Sequence, residues 1–246
     1  MTGDIEKIYK NGTDFTARVS GANETVAFEI NGRQYNRTSD DNGLAKIAIN
    51  LNPGEYVIKT TYDGFTVENT IKVLPTLIAD NLVKYFRNDS QFYVSLVDGA
   101  GKAVPGVNIT MNINGVFYNR TTNANGTAKL NINLNPGEYI LTAIDPLTGL
   151  EMSYNITVLP VLTADDVNMT YMDGTQFAAT LVDGTGKALA GVNITFNING
   201  IFYNRTTDED GIARLNIRLM PSEYIITSQY ENAVTSNKIT ITSKED

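Results

Sequence analysis

The sequence predicts an all-β chain made of three tandem antiparallel sandwiches of about seven strands each. Three observations carry that prediction. The first is repetition: VNITMNINGVFYNRTTNANGTAKLNINLNPGEY, at Val107 to Tyr139, returns as VNITFNINGIFYNRTTDEDGIARLNIRLMPSEY at Val192 to Tyr224. A looser copy, TVAFEINGRQYNRTSDDNGLAKIAINLNPGEY, occupies Thr25 to Tyr56. Copies at a fixed period mark repeated structural modules. The second is patterning, because apolar and polar residues alternate over short runs separated by turn signals, with no helical period anywhere. The third is size: 246 residues shared among three modules gives roughly 80 each, enough for one small core.

The first module, 1–75, shows how each element follows. Asp4 to Asn11 opens it, and Phe15 to Val19 alternates as a half-buried strand does. Gly21 to Glu24 turns the chain. Val26, Phe28 and Ile30 then share one face up to Asn31-Gly32, the pair that a type I′ hairpin turn demands, since both residues tolerate φ > 0. Arg33 to Thr38 returns and ends at the Asp41-Asn42-Gly43 turn. Ala45, Ile47, Ile49 and Leu51 alternate again, Asn52-Pro53-Gly54-Glu55 reverses the chain, and Tyr56 to Tyr62 pairs through Asp63-Gly64 with Phe65 to Leu74.

The second module, 76–160, and the third, 161–246, repeat this order. Each adds a loop that the first lacks, Asp98 to Gly106 and Asp183 to Gly191, and the second has a longer Asp145 to Gly149 connection. Differences confined to turns fit one framework with variable surface loops. The joints read Leu74-Pro75-Thr76-Leu77 and Leu159-Pro160-Val161-Leu162, and proline joints are stiffer than Gly/Ser linkers, which predicts an extended rod.

Faces follow from strand parity. Val107, Ile109, Met111 and Ile113 belong to the core, and Asn108, Thr110 and Asn112 to solvent. Across the two-residue turn, Val116 and Tyr118 are placed inside with Ile113, so Tyr35, Tyr118 and Tyr203 read as core residues. Phe117 and Phe202 then point outward. Tyr56, Tyr139 and Tyr224 each follow a tight turn and open a strand, as a tyrosine corner does.

Composition narrows function. The chain has no His and no Cys, which removes the usual zinc ligands, general bases and thiol nucleophiles and leaves carboxylate pairs as the main route to an enzyme. No such pair recurs at a defensible spacing, so no catalytic residue is expected. The net charge of −8 and pI near 4.6 repel phosphate backbones, so nucleic acid is not an expected partner. No apolar run is long enough to cross a bilayer, no signal peptide opens the sequence, and Met1-Thr2-Gly3 reads as a junction ahead of an excised fragment. The segment is expected to be a monomer. Asn-X-Ser/Thr sequons recur, at Asn11 and Asn88 among others, with Asn108, Asn119, Asn193 and Asn204 the glycosylation candidates if the chain is exported in a glycosylating host.

The stretches GKAVPGVNITMNINGVFYNRTTNANGTAKLNINLNPGEY and GKALAGVNITFNINGIFYNRTTDEDGIARLNIRLMPSEY resemble the tandem immunoglobulin-like repeats of adhesin-like cell-surface proteins of methanogenic archaea. More distantly they are similar to the immunoglobulin-like domains of bacterial invasin and intimin. The resemblance covers modules two and three, and module one departs from it by lacking the Gly-Lys loop. It implies a cell-surface or extracellular stalk or display segment, with a glycan or protein on another cell as the partner of the whole molecule. Phe117 and Phe202 are the rings through which the modules themselves would touch a glycan.

Two chemistries deserve residues. A self-formed isopeptide bond needs a buried lysine facing Asn or Asp on a neighbouring strand. Lys7 and Lys84 occupy equivalent first-strand positions, with Asn69 and Asn155 on the last strands, and only Lys7–Asn69 is in register. The alternative for such a lysine is a solvated sheet edge. Acid-rich turns at Asp40 to Gly43 and Asp208 to Gly211 invite Ca²⁺, as do Asp80, Asp165 and Asp166 near the joints. The turns lack EF-hand spacing, and Asn123-Ala124-Asn125-Gly126 is neutral in the same place, so no cofactor is expected.

Overall fold

The computed structural model describes residues 1–244, and every regular element among them is a β-strand. The N-terminal sandwich contains β1 (Ile5–Ile8), β2 (Asp14–Arg18), β3 (Thr25–Ile30), β4 (Arg33–Thr38), β5 (Leu44–Ala48), β6 (Gly54–Tyr62) and β7 (Phe65–Leu74). The middle one contains β8 (Leu77–Ile78), β9 (Leu82–Tyr85), β10 (Gln91–Leu96), β11 (Asn108–Ile113), β12 (Val116–Thr121), β13 (Thr127–Asn131), β14 (Gly137–Ile144) and β15 (Glu151–Leu159). The third contains β16 (Leu162–Ala164), β17 (Val167–Thr170), β18 (Gln176–Leu181), β19 (Asn193–Ile198), β20 (Ile201–Thr206), β21 (Ile212–Asn216), β22 (Ser222–Tyr230) and β23 (Ala233–Thr242).

Each sandwich faces a five-stranded sheet against a smaller one. The larger sheets run β1-β7-β6-β3-β4, β9-β15-β14-β11-β12 and β17-β23-β22-β19-β20, and the smaller ones β2-β5, β8-β10-β13 and β16-β18-β21. One pair in each larger sheet departs from the antiparallel expectation. β1, β9 and β17 lie parallel to the last strand of their sandwich, with Lys7 opposite Val73, Lys84 opposite Val158 and Met169 opposite Ile241. Parallel neighbours need a long crossover, and here the rest of the module supplies it.

By Cα packing the chain forms two compact units. One comprises Met1–Asn81, Phe92–Leu130 and Ile140–Tyr154; the other comprises Leu82–Gln91, Asn131–Tyr139 and the residues from Asn155 onward.

The turns take the geometry the residues demand. Asn31 and Gly32 have φ of 51° and 70°, Asn114 and Gly115 53° and 77°, Asn199 and Gly200 52° and 77°. Both central residues are left-handed, so these are type I′ hairpins. The tyrosine corners form as expected: the hydroxyls of Tyr56, Tyr139 and Tyr224 each donate at 2.8 Å to the carbonyl four residues upstream, on Asn52, Asn135 and Met220.

The cores differ in one instructive way. Phe15 stacks edge-on against Phe28 at 5.9 Å, and Phe177 against Phe196 at 5.6 Å. In the middle sandwich Met111 replaces the second ring, and Tyr154 on β15 packs against Phe92 at 5.4 Å instead. The expectation that Val116 lies inside is corrected, since it is 48 % exposed. It faces the right way, but β12 is the edge of the wide sheet and overhangs the narrower one. For the same reason Tyr35, Tyr118 and Tyr203 are only half-buried, each with an arginine of its own strand over its ring, namely Arg37, Arg120 and Arg205.

Candidate functional site

The lysines of β1 and β9 are buried, against the solvated-edge alternative, at 5 % exposure for Lys7 and 6 % for Lys84. Each follows the inward parity of its strand and ends on backbone carbonyls. Lys7 Nζ donates to Thr13 O and Ile49 O, both at 2.9 Å, and Lys84 Nζ to Ser90 O at 3.3 Å and Ile132 O at 2.8 Å. Burial holds both ammonium groups below the usual lysine range, while Asp14 and Asp89 respectively pull the other way.

The structure does not bring the isopeptide candidates together. Lys7 sits opposite Val73, whereas Asn69 lies four residues back along β7, about 13 Å of strand away. Asn69 Nδ2 instead donates to Asp4 Oδ1 at 3.1 Å. In the middle sandwich Lys84 sits opposite Val158, and Asn155 is exposed on the outer face. Parity along β15 separates that pair.

The acids do local work. Asp166 Oδ1 accepts the Lys238 N–H at 2.8 Å, as Asp4 Oδ1 accepts that of Thr70 at the same distance. Asp80 and Asp165 precede these strands, and no group of three or more carboxylates that could hold a metal occurs among the described residues. In the acid-rich turns, Asp40 Oδ1 accepts the N–H groups of Asn42 and Leu44, and Asp208 Oδ1 those of Asp210 and Ile212. Asn123 Oδ1 does the same with Asn125 and Thr127, so an amide oxygen serves equally well. These bonds, that from Leu44 first for Asp40 and that from Ile212 first for Asp208, hold both carboxyls below the usual range.

The outer face of the edge hairpins carries the sequons and the exposed rings. Thr121 Oγ1 donates to Asn108 Oδ1 at 2.5 Å and Thr110 Oγ1 to Asn119 Oδ1 at 2.8 Å. Thr206 and Thr195 serve Asn193 and Asn204 in the same way, both at 2.8 Å. Two sequons on facing strands therefore interlock, the threonine of each bonding the asparagine of the other. Phe117 and Phe202 are each 66 % exposed and sit opposite Asn112 and Asn197. The first sandwich has Gln34 opposite Glu29 there, and Lys59 of that row pairs with Glu68.

Some residues carry more than the sequence announced. Asp145, 1 % exposed, accepts Thr76 Oγ1 at 2.7 Å, Thr148 Oγ1 at 2.6 Å and the Leu147 N–H at 2.8 Å, clamping the long connection to the start of the middle sandwich. Thr122 and Thr207, the second threonine of each Thr-Thr pair, are buried and hold the C-terminal end of the added loop, donating to Val104 O and Leu189 O and accepting the N–H groups of Val107 and Val192. Only the recurrence of Thr-Thr hinted at this. A cleft of about 510 Å³ lined by Phe86, Pro136, Leu162 and Ala233, among others, has no ionisable side chain in its wall.

No family model matches the chain, and no curated protein matches it. Solved structures do. The I9–I11 tandem of titin is 16 % identical, covering 99 % of this chain and 97 % of that one, with a TM-score of 0.34. A Bacteroides ovatus mixed-linkage glucan utilization locus protein, SGBP-B, in complex with a heptasaccharide, is 13 % identical over 98 % of this chain and 66 % of that one, at 0.28. A Ca²⁺-stabilized adhesin that helps an Antarctic bacterium bind ice is 16 % identical over 98 % and 72 %, at 0.23. At these scores they say nothing of ligand or activity. The described fold rests on its own strand pairing: it is all-β, with tandem sandwiches that each set a five-stranded sheet against a smaller one.

Proposed function

We propose that this chain is a non-enzymatic structural segment of an adhesin-like cell-surface protein, in which three immunoglobulin-like modules, 1–75, 76–160 and 161–246, space or display an adhesive region outside the cell. One observation carries the reading. The side chains that recur across the copies go into the fold: the Asn-Gly hairpins, the turn-capping Asp40, Asn123 and Asp208, and the tyrosine corners. A stretch repeated for its turns and core is under demand as a framework. Its likeness to repeats of archaeal adhesin-like proteins agrees with this reading. Antibodies raised against the segment should label unpermeabilised cells of the source organism, and deleting it in place should weaken attachment while leaving the protein at the surface. Labelling only after permeabilisation would sink the proposal.

A second reading rests on Phe117 and Phe202. Each is an exposed ring in an uncharged row that continues through Asn112, Thr142 and Ser153, or through Asn197, Thr227 and Ser236. Planar rings beside amide and hydroxyl groups suit a neutral sugar. A glycan array showing specific binding that Phe117→Ala abolishes would favour it over the spacer; a blank array would remove it. The four hairpin sequons are the glycosylation sites that this surface location implies.

A further inference from the structure

Two contacts of one form join successive modules. After β1, Lys10 turns left-handed at φ 62°, and Asn11 caps its own turn by accepting the Thr13 N–H at 2.8 Å. The other end of the same amide, Nδ2, donates to Gly99 O at 2.6 Å. After β9, Arg87 is left-handed at 68°, Asn88 Oδ1 accepts the Ser90 N–H at 2.7 Å, and Asn88 Nδ2 donates to Gly184 O at 2.6 Å.

The receiving loops match. Asp98 Oδ1 accepts the N–H groups of Ala100 and Lys102, and Asp183 Oδ1 those of Thr185 and Lys187. Both loops approach the preceding module too closely for a larger residue. A Cβ on Gly99 would lie 3.1 Å from Asn11 N, and one on Gly186 only 2.5 Å from the Tyr85 ring. Gly101 meets Ile8, the counterpart of Tyr85, in the same way at 3.2 Å. Around the second contact, Tyr85 and Phe86 pack against the core of the third sandwich, and Arg87 pairs with Glu231.

We propose that this contact is a directional joint, in which the asparagine after β1 or β9 of one module docks on the Asp-Gly-x-Gly-Lys loop of the next and holds the two in one orientation. The third module shows which half of the amide matters. Asp173 stands in the asparagine's place, Met172 before it keeps φ 60°, and Asp173 Oδ1 still accepts the Thr175 N–H at 2.8 Å. The turn survives without the amide, but a carboxylate has no N–H to give. The first module lacks the loop, so both loops in the chain are engaged by the module before them. A shared turn with an optional donor separates folding of a module from its docking.

The chain has no cysteine, so a spin-label pair can be placed at Glu138→Cys and Glu209→Cys, on exposed positions either side of the second joint. In the otherwise native full chain, pulsed EPR should give one narrow distance peak. Asn88→Asp keeps the cap and sets a carboxylate against the Gly184 carbonyl, which should lower the docked-to-undocked ratio about tenfold, the scale of one lost hydrogen bond with its acceptor left unpaired. The peak should broaden or split while the melting temperature holds. Asn123→Asp, which installs the residue found at Asp40 and Asp208, should leave the peak narrow. Asn11→Asp with labels at Lys46→Cys and Asn125→Cys repeats the test at the first joint. A peak in Asn88→Asp and Asn11→Asp as narrow as in the native chain would overturn the joint. The inference rests on the module boundaries proposed above. If Asn88→Asp instead lowers the melting temperature, the residue lies inside a fold, and the boundary fails with the joint. Surface labelling of cells is independent of either result.

Discussion

Met111 and Tyr154 stand where the flanking sandwiches have Phe28 with Asn69 and Phe196 with Asn237. The middle core thus moves its second ring from β11 to β15, and burial pushes the Tyr154 hydroxyl up to about 12 while it donates to Leu77 O at 3.2 Å. Tyr154→Asn alone should leave Phe92 facing a void and cost about 3 kcal/mol, as large-to-small changes in a core do. Adding Met111→Phe restores the arrangement of the neighbours, and the pair should recover about 1 kcal/mol relative to additivity in urea unfolding. Lys84 allows a second test at this scale. Its folded pKa lies below 10.5 because burial penalises the charge, so the unfolded chain binds more protons in the window between the two values. Native stability should therefore rise as pH climbs from the folded pKa towards 10.5. Lys84→Met, the residue of the third sandwich, lacks that gain, so its melting temperature should fall relative to native over the same window. A difference independent of pH would show that the buried charge carries no such penalty.

The turn that begins with Asp or Asn and ends three residues later with Gly is more than a reversal. Gly126 has φ 73°, its carbonyl accepts the Leu96 N–H at 2.8 Å, and a Cβ on it would lie 2.7 Å from Leu96 O. Gly43 and Gly211 meet Val19 O and Leu181 O at 2.5 and 2.4 Å in the same way. The turn is pressed against the C-terminal end of β2, β10 or β18. Gly126→Ala combines a left-handed backbone with that clash and should cost about 2 kcal/mol, measured by chemical denaturation. Because the oxygens capping these turns already accept backbone N–H groups, and an amide replaces the carboxylate in one of them, EDTA and millimolar Ca²⁺ should both leave the melting temperature unchanged. A rise with Ca²⁺ would restore the cation at Asp40, Asp208 or the joint acids.

Across the molecule, cross-linking is set by register rather than by composition. Lys7 and Asn69 share the inner face but are offset by four residues, and Lys84 and Asn155 lie on opposite faces. The intact mass of the purified chain should equal the sequence mass, with no ammonia lost, and a loss of one ammonia would show that a bond had closed. The buried lysines satisfy backbone carbonyls at the mouths of two loops, a role for which the sequence offered only an apolar neighbourhood and an alternation.

Local rules fixed much of the fold. Val26, Phe28 and Ile30 alternate, Asn31-Gly32 can close only one kind of hairpin, and Tyr56 follows its turn at the spacing a tyrosine corner needs, so repetition and parity alone yielded three β-sandwiches. Those signals act within about ten residues, where geometry depends on neighbours in sequence. What tertiary structure decided lies between distant strands: the parallel pairing of β1, β9 and β17, the overhang that exposes Val116, the burial of Lys7 and Asp145, and the reach of Asn11 and Asn88 to the carbonyls of Gly99 and Gly184. None of these has a local pattern, because each depends on which backbone atom another part of the chain brings within hydrogen-bond distance. The recurrent stretch specifies turns and core, which are set locally; the contacts of the loops and turn residues that vary around it are set by distant parts of the chain.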